Sequence, residues 1–399
     1  STLLTCVREG ISIVKERSLK IGLFSPYDFD SHGGVNDHVS HLNEQFRRKG
    51  IDSRIIAPSS RSESDIDDDF IPMGRPVPVP SGGSIARVSL SVWIRPKIWR
   101  LMEREKFDVI HLHEPFASAV TLSALTFNFG DIPIKVGTYH TFKGSHLYKF
   151  ISSRILRKYS NFLHGQIAVS EPARAFISAH IPGDYKVIPN GIDVKKFSEA
   201  SPFPRFSDGK TNILFLGRLE KRKGLKYLLA AYSDLKWEFP NTRLIVVGGG
   251  NLDAESMRIL GERSPGDVIL AGEVSESDKC RYFASADIFC APATGQESFG
   301  IVLLEAMASR TAIVASDIVG FSQVVHDGRE ALMFKSRNVQ SLKESLVRLV
   351  NDKALRSRLG NSGRTRVEQY RWENIAAQLI DYYRILQTAD SSKGLANVL

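Results

Sequence analysis

The feature that most limits the fold is a repeated beat of short apolar runs alternating with stretches of helical periodicity. In the second half of the chain these runs are Asn212 to Leu216, Arg243 to Gly248, Val268 to Val274, Asp287 to Pro292, Thr311 to Ser316 and Glu330 to Lys335. Nearly continuous apolar runs of this length fit strands covered on both faces, and regular alternation with helices makes those strands parallel. The first half keeps the same beat, with runs at Lys20 to Pro26, Ser53 to Pro58, Asp108 to Pro115, Ile134 to Thr141, Ile167 to Ser170 and Tyr185 to Asp193. Between the halves, Val194 to Asn212 is rich in Ser, Pro, Lys and Asp with few periodic apolar positions, and it reads as a linker. The expectation is an α/β protein of two doubly wound, Rossmann-like domains, residues 1–197 and 198–371, followed by a last helix from Trp372 to Leu386 in a tail of 372–399.

Composition narrows the class. The 399 residues suffice for two or three domains, and 42% hydrophobic with 24% charged residues is a globular balance. No apolar run is long enough to span a bilayer, and the first nineteen residues interleave charges in a way that does not read as a secretory signal. Three scattered cysteines, Cys6, Cys280 and Cys290, read as reduced thiols of a cytoplasmic protein. The net charge of +9 points to an anionic partner, yet no nucleic-acid recognition module is visible.

The most informative loop is Gly295-Gln-Glu-Ser-Phe-Gly-Ile-Val-Leu-Leu-Glu305, where a strand meets a glycine-bracketed turn and then a helix. That geometry aims the amides of Phe299, Gly300, Ile301 and Val302 at whatever lies above the turn, and a diphosphate would satisfy them. Glu297 lies in the loop and is free to point into a cleft. Glu305 sits in an apolar helix, where a lone charge is costly, so it needs a polar partner. The bland alternative has Glu297 capping the helix and Glu305 paired with a core arginine.

Other strand ends carry related chemistry. Gly33-Gly34 opens a helix after the first strand. Arg218, Arg222 and Lys223 follow the first strand of the second half, where cations suit a diphosphate. His140, and less strongly His113 and Glu114, sit at the carboxyl ends of strands, where doubly wound sheets hold ligands. His111, His113, His140 and His146 lack a zinc-ligand spacing, and no cysteine joins them, so no metal site is expected. Asp65-Ile-Asp67 mimics an Asp-x-Asp metal motif inside an acidic segment that reads as a solvated loop. Val247-Gly-Gly-Gly250 approaches a dinucleotide fingerprint, but Asp253 stands at the third glycine position, which weakens an oxidoreductase reading. Two first-half segments, Arg87 to Lys106 and Lys143 to Lys158, mix basic residues with tryptophan or other apolar side chains. They fit either a solvated helix face or an anionic membrane surface.

Taken in order, Ser25-Pro-Tyr27, Gly33-Gly-Val35, His113-Glu-Pro115, Thr138-Tyr-His140, Pro189-Asn-Gly-Ile-Asp193, Gly217-Arg218 and the Glu297 stretch resemble the retaining, nucleotide-sugar-dependent glycosyltransferases of GT-B architecture. Among these the chain is most similar to the phosphatidylinositol mannosyltransferases, over about Lys20 to Leu386. The resemblance implies two Rossmann-like domains across a deep cleft, with the last helix crossing back to the first. It implies that Arg218 and Lys223 hold the donor diphosphate with the amides of Gly34, Ile301 and Val302, and that Glu305 binds the ribose. Glu297, with Phe299 and Gly300, would contact the transferred sugar, and His140 would lie beside the reacting carbon. Val274, Glu276 and Lys279 stand where the family holds the base. Glu276 matches the paired donors of guanine, which favours GDP-mannose, although Ser275 and Asp278 also fit a helix cap. Tyr27, Asn36 and Arg87 fall on the acceptor side. Here Ser81 and Gly82 replace the family's Tyr-Asn and Asn36 replaces a glutamine, while Arg87 is retained for an acceptor phosphate. The implied partners are a nucleotide sugar, a phosphate-bearing lipid acceptor and an anionic membrane on the inner face of the cell membrane, with no cofactor, no metal and no nucleic acid. A UDP- or ADP-sugar enzyme with a soluble acceptor, and a silent sugar-nucleotide binder, are the alternatives.

Overall fold

A computed structural model describes residues 19–31, 33–61, 68–81, 84–130, 132–140, 153–263 and 266–396. Cys6, the acidic residues 62–67, Gly82, His146 and most of the basic segment from Lys143 lie outside the described residues.

Strands β1 (Lys20–Phe24), β2 (Asp52–Ala57), β3 (Phe70–Pro72), β6 (Val109–His113), β7 (Ile134–Tyr139), β8 (Gly165–Ala168) and β9 (Lys186–Val187) form one sheet in the order β3-β2-β1-β6-β7-β8-β9. All its pairings are parallel. A two-stranded antiparallel hairpin, β4 (Val77–Ser81) with β5 (Ser84–Val88), stands apart from it. The second sheet holds β10 (Thr211–Leu216), β11 (Thr242–Val247), β12 (Val268–Gly272), β13 (Ile288–Ala291), β14 (Ala312–Ser316) and β15 (Ala331–Phe334) in the order β12-β11-β10-β13-β14-β15, again parallel. Each of the six apolar runs of the second half is a strand of this sheet.

Alternation along a strand feeds opposite faces, so each sheet needs cover on both sides. In β1, Ile21 and Leu23 pack with Val39, Leu42 and Phe46 of the Gly34–Arg48 helix, whereas Phe24 joins Ile98, Leu101 and Met102 of the Arg95–Glu105 helix on the other face. In β10, Ile213 and Phe215 face the Leu225–Glu238 helix, and Leu214 faces Leu303 and Leu304 of the Ile301–Ala308 helix. The apolar stripe of the Arg95–Glu105 helix is thus fully used in the core, while Lys97, Arg100 and Arg104 remain exposed.

One sequence expectation needs correction, and one strand carried no sequence signal. Val77–Ser81 is a strand despite Pro78 and Pro80. Proline is tolerated there because a two-stranded ribbon leaves one edge of each strand unpaired. The run read as a linker is built structure. It contains a short helix, Val194–Ser198, and its Val194, Phe197 and Phe206 are buried in the core of the second sheet's layers. Its apolar residues are too few to show periodicity, but each fills a pocket.

The chain returns to the first sheet at its end. The Trp372–Ala396 helix buries Trp372, Ile375, Ala376, Leu379 and Tyr383 with the β1 cluster. Just ahead of it the Ile192 amide donates to the Tyr370 carbonyl at 2.8 Å. Tyr383 Oη and His111 Nδ1 lie 2.7 Å apart in the interior. Gly191 is pressed against the Trp372 indole, where a Cβ would come within 2.3 Å of the ring. Gly191→Ala is therefore expected to destabilise the protein by about 1–3 kcal/mol through overpacking, read as a lowered urea midpoint. An unchanged midpoint would show that this seam is loose.

Candidate active site

Both sheets reverse strand order beside their first strand, at β1/β6 and at β10/β13, and the loops above such points are where open parallel sheets hold ligands. A cavity of about 530 Å³ lies there, lined by residues of both halves, among them Gly34, His38, Asn190, Glu276, Ile301 and Glu305. Val274 and Lys279 also line it, so the residues expected near the base and ribose share one wall.

Two helix N-termini open onto this cavity. The Gly34–Arg48 helix follows Gly33 and the Ile301–Ala308 helix follows Gly300, and neither has a side-chain cap. Uncapped first-turn amides, with the positive end of the helix dipole, form a seat for an anion. No atom of the described residues lies within 4 Å of where a Cβ would stand at Gly33 or Gly34, so that backbone can be approached closely. Gly300 has a different reason. Its φ of 84° is left-handed, and a Cβ would meet Phe321 at 2.8 Å. Phe299 turns inward, 4% exposed, with its ring edge-on to Tyr370 at 5.7 Å, so its side chain belongs to the core. Val302 is packed on the same core.

Glu305 is buried, and Lys279 Nζ lies 2.7 Å from its Oε1 while Oε2 has no hydrogen-bond partner among the described residues. The core-arginine alternative does not hold, since the partner is a lysine across the cavity wall. Burial raises the Glu305 pKa, and the Lys279 charge works against that rise. Lys279 also meets Glu276 Oε2 at 2.8 Å, and Lys196 Nζ approaches Glu276 Oε1 at 3.3 Å. Burial would lower the Lys279 pKa, but Glu305 and Glu276 carry it upward. Ser275 does cap the Glu276–Ser285 helix, accepting from the Asp278 amide at 3.0 Å, yet Glu276 still lines the cavity.

Glu297 is drawn into a cluster of cations. Its Oε1 is 2.7 Å from Lys223 Nζ and 2.7 Å from Arg222 Nη1. It does not cap the helix. The β10 and β13 loops are locked together beneath it, where the Thr294 amide donates to the Arg222 carbonyl at 2.8 Å. Arg218 is 60% exposed and 3.0 Å from Glu220, and it is not among the residues lining the cavity.

On the first sheet's side the imidazoles converge. His113 Nδ1 and His140 Nε2 are 3.0 Å apart, and the His140 amide donates to Glu114 Oε1 at 2.7 Å. His38 Nδ1 meets Asn190 Oδ1 at 2.9 Å, and its ring is edge-on to His140 at 4.9 Å and to Trp372 at 5.1 Å. Burial lowers the pKa of His38 to about 4 and of His111 to about 3, and holds His113 and His140 well below 6.5. At neutral pH the cluster is uncharged.

The acceptor-side residues are held by one loop. Tyr27 bridges to Val88, the Asp28 amide donates to the Arg87 carbonyl at 2.7 Å, and Arg87 Nε lies 3.2 Å from Asp28 Oδ2. Arg87 is half exposed. Asn36 is spent on the loop itself. Its amide donates to the carbonyls of Asp28 and Ser31 at 2.8 and 3.0 Å, and its Oδ1 accepts from Ser25 Oγ at 2.7 Å. It shapes the turn that carries Tyr27, with no polar atom spare.

Two family profiles divide the chain between them, "Glycosyltransferase Family 4" over residues 32–196 and "Glycosyl transferases group 1" over residues 197–366. The phosphatidyl-myo-inositol mannosyltransferase of Mycobacterium tuberculosis is 38% identical over 373 residues, covering 92% of this chain and 96% of its own length. That of Propionibacterium freudenreichii is 32% identical over 391 residues, covering 95% and 98%. The chain belongs to the group 1 glycosyltransferases.

The fold agrees. A sucrose-phosphate synthase from Thermosynechococcus elongatus superimposes with a TM-score of 0.70 at 21% identity, over 93% of this chain and all of that one. Anabaena Alr3699/HepE, solved with UDP, does so with 0.70 at 18%, over 91% and 99%. The architecture is GT-B, and the protein is a hexosyltransferase. Its site includes residues that sequence reading passed over. His38 lies one helical turn past Gly34, a spacing that was legible, and its role depends on β6 and β7 arriving beside it. Lys196 falls in the supposed linker, and Asn190 and Trp372 acquire meaning only where the chain closes on itself.

The buried histidines of this glycosyltransferase make its stability depend on pH. His38, His111 and His113 have folded pKa values below the ordinary 6.5, so the unfolded chain takes up protons first as pH falls. Their contribution is complete above about 6.5 and is lost as pH drops toward 4, at about 1.4 kcal/mol per pH unit for each histidine protonated only when unfolded. Urea midpoints are expected to fall steeply between pH 6.5 and 5, and less steeply in His38→Asn. A flat profile would mean that these histidines are not held neutral.

Proposed function

We propose that this protein transfers mannose, with retention of configuration, from GDP-mannose to a phosphate-bearing lipid such as phosphatidylinositol. The observation carrying the reading is Glu305, whose Oε1 is held by Lys279 while Oε2 has no partner among the described residues at the wall of the cavity, a place that ribose hydroxyls would satisfy. The relatives that match nearly end to end, and carry mannosyltransferase names, support the transferred sugar and the acceptor class.

In this reading the domain split lies near 197, and the second domain holds the donor. The diphosphate lies between the amides of Gly34, Ile301 and Val302 and the cations Arg218, Arg222 and Lys223. As the bond from the sugar's anomeric carbon to the phosphate oxygen breaks, those groups receive the negative charge, and such prearranged electrostatic stabilisation usually contributes most to catalysis of this kind. The acceptor hydroxyl attacks the face the phosphate leaves, and its proton passes to the departing oxygen. The diphosphate competes with Glu297 for Lys223 and Arg222, which frees that carboxylate to contact the sugar. His140 lies beside the reacting carbon as a neutral imidazole, and Tyr27 and Arg87 meet the acceptor phosphate. The cations replace a metal.

Incubation with labelled GDP-mannose or UDP-glucose and phosphatidylinositol vesicles tests the whole reading. Mannosyl-lipid from GDP-mannose alone is expected, and glucosyl-lipid from UDP-glucose, or no lipid product from GDP-mannose, would overturn it. Glu297→Gln is expected to abolish transfer while GDP binding survives in calorimetry, whereas Glu305→Ala mainly weakens GDP binding. Arg218→Ala and Lys223→Ala each lose at least about tenfold to a hundredfold in rate.

We also place the work at an anionic membrane surface. No helix among the described residues is long and apolar enough to cross a membrane. Beside the exposed bases of the Arg95–Glu105 helix, Leu90, Val92 and Trp93 are exposed at 56%, 72% and 85%. Each base near such a surface contributes on the order of 1 kcal/mol. Co-sedimentation with anionic vesicles is expected at low salt and is expected to fail after charge reversal at Lys97, Arg100 and Arg104. Equal binding to neutral vesicles would refute it.

A further inference from the structure

The histidine cluster has a chemistry that sugar transfer does not use. Three chain segments deliver one imidazole each, His38 from the Gly34–Arg48 helix, His113 from the end of β6 and His140 from just past β7. One nitrogen of each lies within 4.8 Å of the others. His38 Nδ1 is turned to Asn190 Oδ1 at 2.9 Å, and since that oxygen only accepts, Nδ1 carries the proton and Nε2 is left bare. A ring N–H donated to an amide or carbonyl oxygen is how proteins orient a metal-binding histidine. His113 Nδ1 and His140 Nε2 face each other at 3.0 Å, and His113 Nε2 is buried with no partner among the described residues. Among the described residues no thiol joins the set. His38 and His113 are buried, and His140 is partly exposed, which leaves one side of the set open.

We infer that His38, His113 and His140 form a three-imidazole site for a divalent transition-metal ion, Zn2+ above all, and that an ion bound there blocks sugar transfer. All-nitrogen sets favour zinc, cobalt, nickel and copper over magnesium and calcium, which take oxygen. Zinc–nitrogen bonds of about 2.0–2.1 Å put tetrahedral ligands roughly 3.3 Å apart, so small side-chain rotations close the set, and three histidines with an open fourth position are a recurrent zinc geometry. The blocking half rests on the reading that His140 lies beside the reacting carbon. The site itself does not.

The test uses the full chain freed of metal by a chelator and then given Co2+ or Zn2+ alone. Co2+ is expected to raise a visible absorption band of tetrahedral type, and Zn2+ calorimetry to show one ion per chain. His140→Gln, at a partly exposed position, is expected to abolish the band, and so is His38→Gln. Asn190→Ala, which touches no ion, is expected to weaken binding about 10- to 100-fold. Absence of the band, or a band that survives in the His38→Gln/His140→Gln double variant, would overturn the site. Stoichiometric Zn2+ is expected to stop mannosyl transfer and a chelator to restore it. Tight binding without inhibition would overturn the blocking half and the placement of the reacting carbon beside His140, and would leave the site standing.

Discussion

A buried carboxylate has to be paired, and the pairing of Glu305 with Lys279 organises one side of the cleft. The helix that carries Glu305 buries nearly every other side chain, so the charge is tolerated only because Lys279 reaches it from the preceding helix and is balanced in turn by Glu276. That network sets the distance between the Glu276–Ser285 and Ile301–Ala308 helices at the mouth of the second sheet. It also leaves one carboxylate oxygen unspent. Breaking it from the lysine side would strand a charge in the interior, so the geometry of the donor side and the stability of its core are one problem.

The opposite wall is built on the contrary principle, an uncharged cluster. His38, His113 and His140 sit near one another without repulsion because burial keeps them neutral, and Asn190 and Trp372 hold His38 from the side where the two halves meet. Trp372 begins the helix that completes the core over β1, so the seam between the halves and the orientation of a cleft imidazole share a residue. A shift at the seam is transmitted to the cleft through a packed indole and not through a flexible chain.

Much of this was legible along the chain, for identifiable reasons. The strands of the second sheet are short, apolar and regularly spaced, so hydrophobic pattern alone placed all six runs. Gly33-Gly34 and the Glu297 to Glu305 stretch are local objects, a turn running into a helix, and local geometry is what sequence encodes most directly. The hairpin at Val77–Val88 was hidden because prolines mask strand character, and the supposed linker because its few apolar residues find their pockets one at a time. Asn36 looked like a contact residue, and only the folded loop shows that its side chain is consumed by Asp28, Ser31 and Ser25.

Periodicity and backbone freedom within a few residues were enough to dictate that two doubly wound layers form, that glycines precede two helices able to seat an anion, and that carboxylates and cations stand at strand ends. Which of these groups meet was settled by the closing of the sheets. Lys279 became the partner of Glu305 across 26 positions, Arg222 joined Lys223 on Glu297, and His38 came to lie against His140. Such pairings depend on the order in which parallel strands are laid down and on where the chain crosses back. Charge, size and spacing along the chain do not specify that order, because each of these residues had several chemically equivalent partners until the sheets closed.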